Sequence, residues 1–166
     1  MKIRVEIELF AAGARATIYA VRLAPREKPE AARFFDRILR LPATSPLRAS
    51  LSVILDYLER IRRLEGVQER FFRPREGRGL ALPVSKGDLR LYCYRLDDAT
   101  LIICGGGQKQ GRTVQESPDC LPHFNLMNSI IDELKRRRIT PGHLPADSTT
   151  SFTLYITPPV DYEHAS

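Results

Sequence analysis

Leu89-Arg90-Leu91-Tyr92-Cys93-Tyr94-Arg95-Leu96-Asp97-Asp98-Ala99-Thr100-Leu101-Ile102-Ile103-Cys104 is the stretch from which the fold is read. Two apolar runs flank the short acidic pair Asp97-Asp98, the pattern of an antiparallel hairpin. Along the first run Leu89, Leu91 and Cys93 fall on one face, and Arg90, Tyr92 and Tyr94 on the other. The first set reads as buried. The second, a guanidinium with two phenols on an open face, suits phosphate contact and base stacking. A two-residue turn at Asp97-Asp98 pairs Tyr94 with Leu101 and Tyr92 with Ile103, so the tyrosines also read as half-buried cross-strand partners. That second reading suits Arg90 less, because arginine is seldom buried without a partner.

Upstream, Ile3, Val5, Ile7 and Leu9 alternate with Arg4, Glu6 and Glu8, a strand with one buried face. A turn around Gly13 leads to a second strand, Thr17 to Leu23, which closes a hairpin with the first. Pro29 opens a helix striped by Ala31, Phe34, Phe35, Ile38, Leu39 and Leu41, and Pro42 ends it. Ser45-Pro46 is an N-cap and first-turn pair for the next helix. Leu47, Leu51, Ile54, Leu55, Leu58, Ile61 and Leu64 sustain that helix until Gly66. The short connection makes the two a helical hairpin. A strand-like piece spans Gly79 to Val84, and a third helix covers about Leu121 to Arg138, with Phe124, Met127, Ile130, Ile131 and Leu134 inward. The expected fold class is α+β: an N-terminal strand or hairpin, a helical hairpin, then a twisted antiparallel sheet with a C-terminal helix. It forms one domain over residues 1–139. A Pro/Ser/Thr-rich extension follows over 140–166, with a candidate edge strand at 152–157.

The 166 residues are 43% hydrophobic and 28% charged, enough apolar material for one core without metal or disulfide staples. Cys93, Cys104 and Cys120 form no CxxC pair, which argues against a disulfide framework and a zinc ribbon. No apolar run is long enough to cross a bilayer, and the charged N-terminus has no signal-peptide pattern, so the expectation is a cytoplasmic protein with no membrane partner. The net charge of +6 favours anionic partners. Seven arginines against three glutamates between Arg60 and Arg78 concentrate that basicity, Arg73, Arg75 and Arg78 lying nearest the sheet. A nucleic-acid surface on these arginines and on Lys135 to Arg138 is one reading; solvated helix ends are the other.

Catalytic motifs are sparse. Gly106-x-x-x-x-Gly111-Arg112-Thr113 is a near-miss to the phosphate-binding loop, but Arg112 stands where lysine belongs and Pro118 and Pro122 follow where a helix should start. His123, His143 and His164 show no metal spacing and read as solvated or capping residues. No GxSxG elbow is present.

The stretch from Phe72 through Thr113 resembles the C-terminal sheet of the RelE/ParE-like toxin superfamily, particularly its HigB-type, phage-derived branch. The residues that carry this are Leu89 to Leu96, the acidic turn Asp97-Asp98, Leu101 to Cys104 and Gly107-Gln108-Lys109-Gln110. Pro29 to Asp36 is similar to that branch's first helix. The resemblance implies a type II toxin–antitoxin toxin that cleaves mRNA on the ribosome, needs no cofactor, and is restrained by an antitoxin, commonly a helix-turn-helix DNA-binding protein. By position it implies that Arg90 contacts the scissile phosphate. Lys109 or Arg112 matches the basic residue after the last strand, and Lys86 the lysine before the arginine strand. Attack by a 2′-hydroxyl needs a base, a cation for the phosphorane and an acid for the 5′-oxygen. Lys86 or Lys109 is the candidate base, which requires clustered cations to lower a pKa ordinarily near ~10.4. Tyr92 or Tyr94 is the stacker or acid, with Arg73, Arg75 and Arg78 available to hold RNA. The competing reading is a non-catalytic relative, either a gyrase-inhibiting toxin or a binding module.

Overall fold

In the computed structural model, residues 1–73, 77–83, 87–160 and 162 are described. The central hairpin is present as β4 (Leu89–Asp97) and β5 (Thr100–Gln108). Its register departs from the expected one by a residue: Tyr94 pairs with Ile102 and Cys93 with Ile103. The two turn residues are Asp98 and Ala99, held where the Asp97 carboxylate accepts the Ala99 N–H at 2.9 Å. Irregularities between Arg95 and Asp97, and between Leu91 and Cys93, move the later partners again.

β1 (Ile3–Ala12) and β2 (Thr17–Leu23) form the expected antiparallel hairpin. β2 then runs parallel to β5, from Thr17 opposite Thr100 to Ala20 opposite Ile103. β3 (Leu80–Leu82) adds to β4, and β6 (Ser151–Ile156) to the outer edge of β1, both antiparallel. One six-stranded sheet of order β3-β4-β5-β2-β1-β6 results. The protein is thus mixed α+β, and its mostly antiparallel sheet holds a parallel pair that strand patterning alone does not reveal.

α1 (Glu30–Leu39) and α2 (Pro46–Arg60) cover one face of the sheet, burying Phe34, Phe35, Leu51, Ile54 and Leu58 against Ile18, Leu91, Cys93 and Leu101. Ser45 caps α2 by accepting the Leu47 N–H at 3.3 Å, with Pro46 in the first turn. A wider turn over Ile61–Glu65 continues it to Gly66, whose φ of 76° lies in the left-handed region. α3 (Leu121–Arg136) covers the other face, packing Met127, Ile130, Ile131 and Leu134 on Tyr19, Val21, Tyr92 and Ile102. β6 sends Leu154 and Ile156 into this second core. On the opposite side of β1 the buried Glu6 carboxylate accepts the Ser151 and Thr153 hydroxyls at 2.8 and 2.7 Å.

Near its end β5 carries three glycines, Gly105 to Gly107. A Cβ on Gly105 would strike the His123 ring at the start of α3, and one on Gly106 would strike the Arg90 carbonyl and the Phe34 ring of α1. On Gly107 it would strike the Asp119 backbone and carboxylate. Both helical layers approach the strand too closely here for any side chain.

Leu91 is wholly buried under α1 and α2. Leu91→Ala should therefore lower the unfolding free energy by about 2–5 kcal/mol with an unchanged denaturant slope. A loss below ~1 kcal/mol by urea titration would contradict the assigned face.

Candidate functional site

The face of β4 that bears Arg90, Tyr92 and Tyr94 is not open, which corrects the reading taken from strand alternation. The apolar stripe of α3 lies over it. Tyr92 meets Phe124 edge-on with ring centroids 5.8 Å apart, and Arg90 is only 8% exposed. The Arg90 Nη1 donates to the carbonyls of Gly87 at 2.6 Å and Leu89 at 2.8 Å. Burial lowers the Arg90 pKa, and the positive charge of Arg73 lowers it further.

Between β3, β4, the segment after β5 and α3 lies a pocket of about 340 Å³. Arg73, Arg90, Lys109 and Arg112 line it together with Tyr92 and the apolar Leu80, Phe124 and Met127. No carboxylate is among its described lining residues. Backbone bonds place the cations. Arg73 N–H donates to the Ala81 carbonyl at 2.9 Å, and Lys109 N–H to the Asp88 carbonyl at 2.5 Å. The segment leaving β5 is tied down where Ser117 accepts the Gln110 N–H at 2.8 Å and donates back to the Gln110 carbonyl. Asp119 accepts the Gln108 N–H at 2.6 Å. Lys109 is half-buried and Arg112 exposed. In the core behind Tyr92, burial raises the Cys120 thiol pKa, opposed by its hydrogen bond with Tyr92.

Five of the residues expected at a site are thus brought together: Arg73, Arg90, Tyr92, Lys109 and Arg112. Tyr94 is half-buried on the α3-side core, away from the pocket lining, in keeping with the cross-strand reading. Arg78 stands outside, its guanidinium paired with Asp132 of α3. Arg75 and Lys86 lie outside the described residues. Most of the described arginines of the basic stretch are paired locally, two of them sharing one carboxylate in two cases. Arg60 and Arg70 both pair with Glu65, at 2.8 and 2.7 Å, and Arg62 pairs with Glu59 at 2.7 Å. Arg136 pairs with Glu133, and Arg137 lies over Phe152. The phosphate-loop near-miss fails structurally, since Gly106 belongs to β5 and only a short 3-10 turn, Val114–Glu116, follows Thr113.

One residue escaped the sequence reading. His143 does cap a turn, accepting the Thr140 N–H at 3.0 Å, but His123 is half-buried and makes no cap bond among the described residues. Its ring lies against Gly105 and edge-on to Tyr162, and its Nδ1 is buried with no hydrogen-bond partner among the described residues. Burial, reinforced by Arg37, pushes its pKa down to about 4. The signal in the sequence was the glycine run opposite it, which marks a close approach without saying by what. Among the described residues no three His, Cys, Asp or Glu side chains converge as metal ligands, and no helix is long and apolar enough to cross a membrane.

No family model, no curated protein and no solved structure matches the chain.

Two measurements follow from this geometry. Arg90→Ala should cost about 1–3 kcal/mol of stability, because it strands buried carbonyls, whereas Lys109→Ala and Arg112→Ala should stay within about 0.5 kcal/mol of the parent. Equal midpoints for all three in thermal unfolding would refute the buried placement of Arg90. His123 has a folded pKa below the 6.5 of an unconstrained ring, so the unfolded state binds its proton first. Its contribution is intact above about pH 6.5 and is lost as the pH falls toward 4. Glu30, whose pKa burial raises, acts in the opposite sense above 4.5. His123→Ala should accordingly flatten the loss of urea midpoint between pH 7 and 5; an unaltered slope would remove His123 as its source.

Proposed function

We propose that this protein is a RelE/ParE-like toxin of a type II toxin–antitoxin system, and that the pocket over β4 binds and cleaves mRNA on the ribosome without a metal. The observation that carries the reading is the convergence of Arg73, Arg90, Lys109 and Arg112 in one partly enclosed pocket beside a buried tyrosine. The layout of strand hairpin, two helices on one face, and a basic segment leaving the last hairpin strand agrees with the resemblance in the sequence. The finer RelE/ParE topology is part of the proposal.

In the proposed reaction the ribose 2′-oxygen attacks the adjacent phosphorus while the bond to the 5′-oxygen breaks. The 2′ proton passes to a base, and a proton is returned to the departing 5′-oxygen. Two carbonyls fix one nitrogen of Arg90, so the remaining guanidinium donors have little freedom to reorganise as charge gathers on the phosphorane. Arg73 and Arg112 add to the same field. Of the two candidate bases, Lys109 lines the pocket. Tyr92 is the candidate acid, its ring already engaged by Phe124 and so less suited to base stacking. The partner in the resting state is an antitoxin whose acidic or amphipathic segment covers the basic pocket.

Induced expression in a bacterial host, followed by primer extension on a reporter mRNA, tests this. Growth arrest with new 5′ ends is expected, and both should vanish in Lys109→Ala and in Arg112→Ala, variants that leave the fold intact. Arrest without cleavage would transfer the reading to a gyrase-type target, and no arrest would leave a binding module on the same sheet.

A further inference from the structure

A second polar cleft, of about 370 Å³, opens where β5 runs on past its pairing with β2. Arg26, Glu30, Arg33, Arg37, His123 and Tyr162 line it, with Asp119 at its rim. Its two carboxylates are already engaged. Glu30, 2% exposed, accepts from Arg26 at 2.8 Å and pairs with the Arg33 Nε at 3.3 Å. Asp119 holds the Gln108 N–H. Arg33 and Arg37 stand four residues apart on one face of α1. The Arg37 Nη2 reaches the Gly106 carbonyl at 2.9 Å, which anchors the head of that side chain beside β5. A guanidinium carries five donors, so these bonds do not exhaust those of Arg33 and Arg37, both of which line the cleft.

The histidine supplies another donor. With no acceptor within reach of Nδ1 among the described residues, the neutral ring avoids a buried unsatisfied N–H by carrying its proton on Nε2, the edge turned away from Gly105. The Tyr162 hydroxyl stands 3.5 Å from the Arg26 guanidinium.

We propose that this cleft between α1 and the start of α3 is a binding site for a phosphate group, held by Arg33 and Arg37 and capped by the His123 Nε2–H. Guanidinium forks match phosphate oxygens in pairs, and a partly enclosed cleft strengthens the attraction over an exposed one. The site is separate from the pocket over β4 and does not rest on the nuclease reading. Of the charged groups around His123, Arg26, Arg33 and Arg37 oppose its protonation and Asp119 favours it. A bound anion would add to the second side and raise the ring's pKa.

The test is NMR observation of the His123 ring nitrogens while inorganic phosphate is added at constant ionic strength near neutral pH. A saturable shift is expected, with affinity about ten- to a hundredfold weaker in Arg33→Gln, the range for losing one charge-assisted hydrogen bond. Arg63→Gln, a remote exposed arginine, should titrate like the parent. Arg37→Gln serves as a second variant, and the thermal midpoint without phosphate verifies that each is folded. Ring nitrogens that do not move, or a shift equally strong in both cleft variants, would overturn the site. Displacement of the phosphate by a short single-stranded RNA would identify the natural source as a nucleic-acid backbone. Displacement by a nucleoside monophosphate but not by RNA would identify a small phosphorylated ligand.

Discussion

The close approach of both helical layers to the glycine run of β5 sets the geometry of everything around it. β5 lies inside the sheet with α1 on one face and the start of α3 on the other, and at Gly105-Gly106-Gly107 neither layer leaves room for a Cβ. Phe34 and the Arg90 carbonyl close on Gly106, while His123 and Asp119 close on its neighbours. Any side chain here would lift one layer away from the strand. The two polar cavities lie on either side of this contact: one where β4 meets α3, the other where α1 meets α3 beyond the end of β2. Their shapes are consequences of the same packing, so a substitution in the glycine run would disturb both.

Arg90 shows what that packing costs. A guanidinium taken out of water needs partners, and its short bonds are to neutral carbonyls rather than to a carboxylate. With Arg73 nearby, the folded protein holds an excess of positive charge that an exposed surface would relax by solvation. An anion entering the pocket would relieve this repulsion, so part of its binding energy would come from the cation–cation repulsion that the fold already holds. Such preorganisation is useful for a charge that develops only briefly, because the donors are in place before the charge appears.

Local signals in the sequence were read well where the physics is local. Ser45-Pro46 marks the start of α2 and Gly66 the end of the wider turn that continues it, the alternation of residues 3–9 marks β1, and the expected edge strand at 152–157 overlaps β6 in all but one residue at each end. Errors arose where a distant element decides. Alternation on β4 separated Leu91 from Arg90 correctly, yet it could not tell a solvated face from one roofed by a helix thirty residues later. Hairpin register differs by one because the turn falls a residue later, at Asp98-Ala99, and an irregularity between Arg95 and Asp97, which leaves little trace in side-chain pattern, shifts the partners back by one. The parallel contact of β2 with β5 joins residues about eighty apart, and no periodicity encodes it. At the site, Arg90, Lys109, Arg112, Arg73 and Tyr92 were legible as a group, whereas His123 was hidden because a lone histidine says nothing about which backbone it faces.

Charge density along the chain proved a poor guide to charge density in space. The most basic stretch, Arg60 to Arg78, folds so that Glu59 and Glu65 lie within reach of four of its arginines, and Arg60 and Arg70 stack on Phe71. Those pairs form over three to five residues, and each is worth little when exposed. Positions 73, 90, 109 and 112, by contrast, carry cations spread over forty residues, and folding brings them to one pocket with no described carboxylate in its lining. The net +6 of the chain is thus distributed unevenly: partly compensated where the sequence is densest in arginine, and without described acidic neighbours where the backbone converges. Salt screens exposed pairs strongly and enclosed charges weakly. Arg90, the most enclosed of the pocket's cations, therefore keeps more of its field at physiological ionic strength than the exposed arginines of the run.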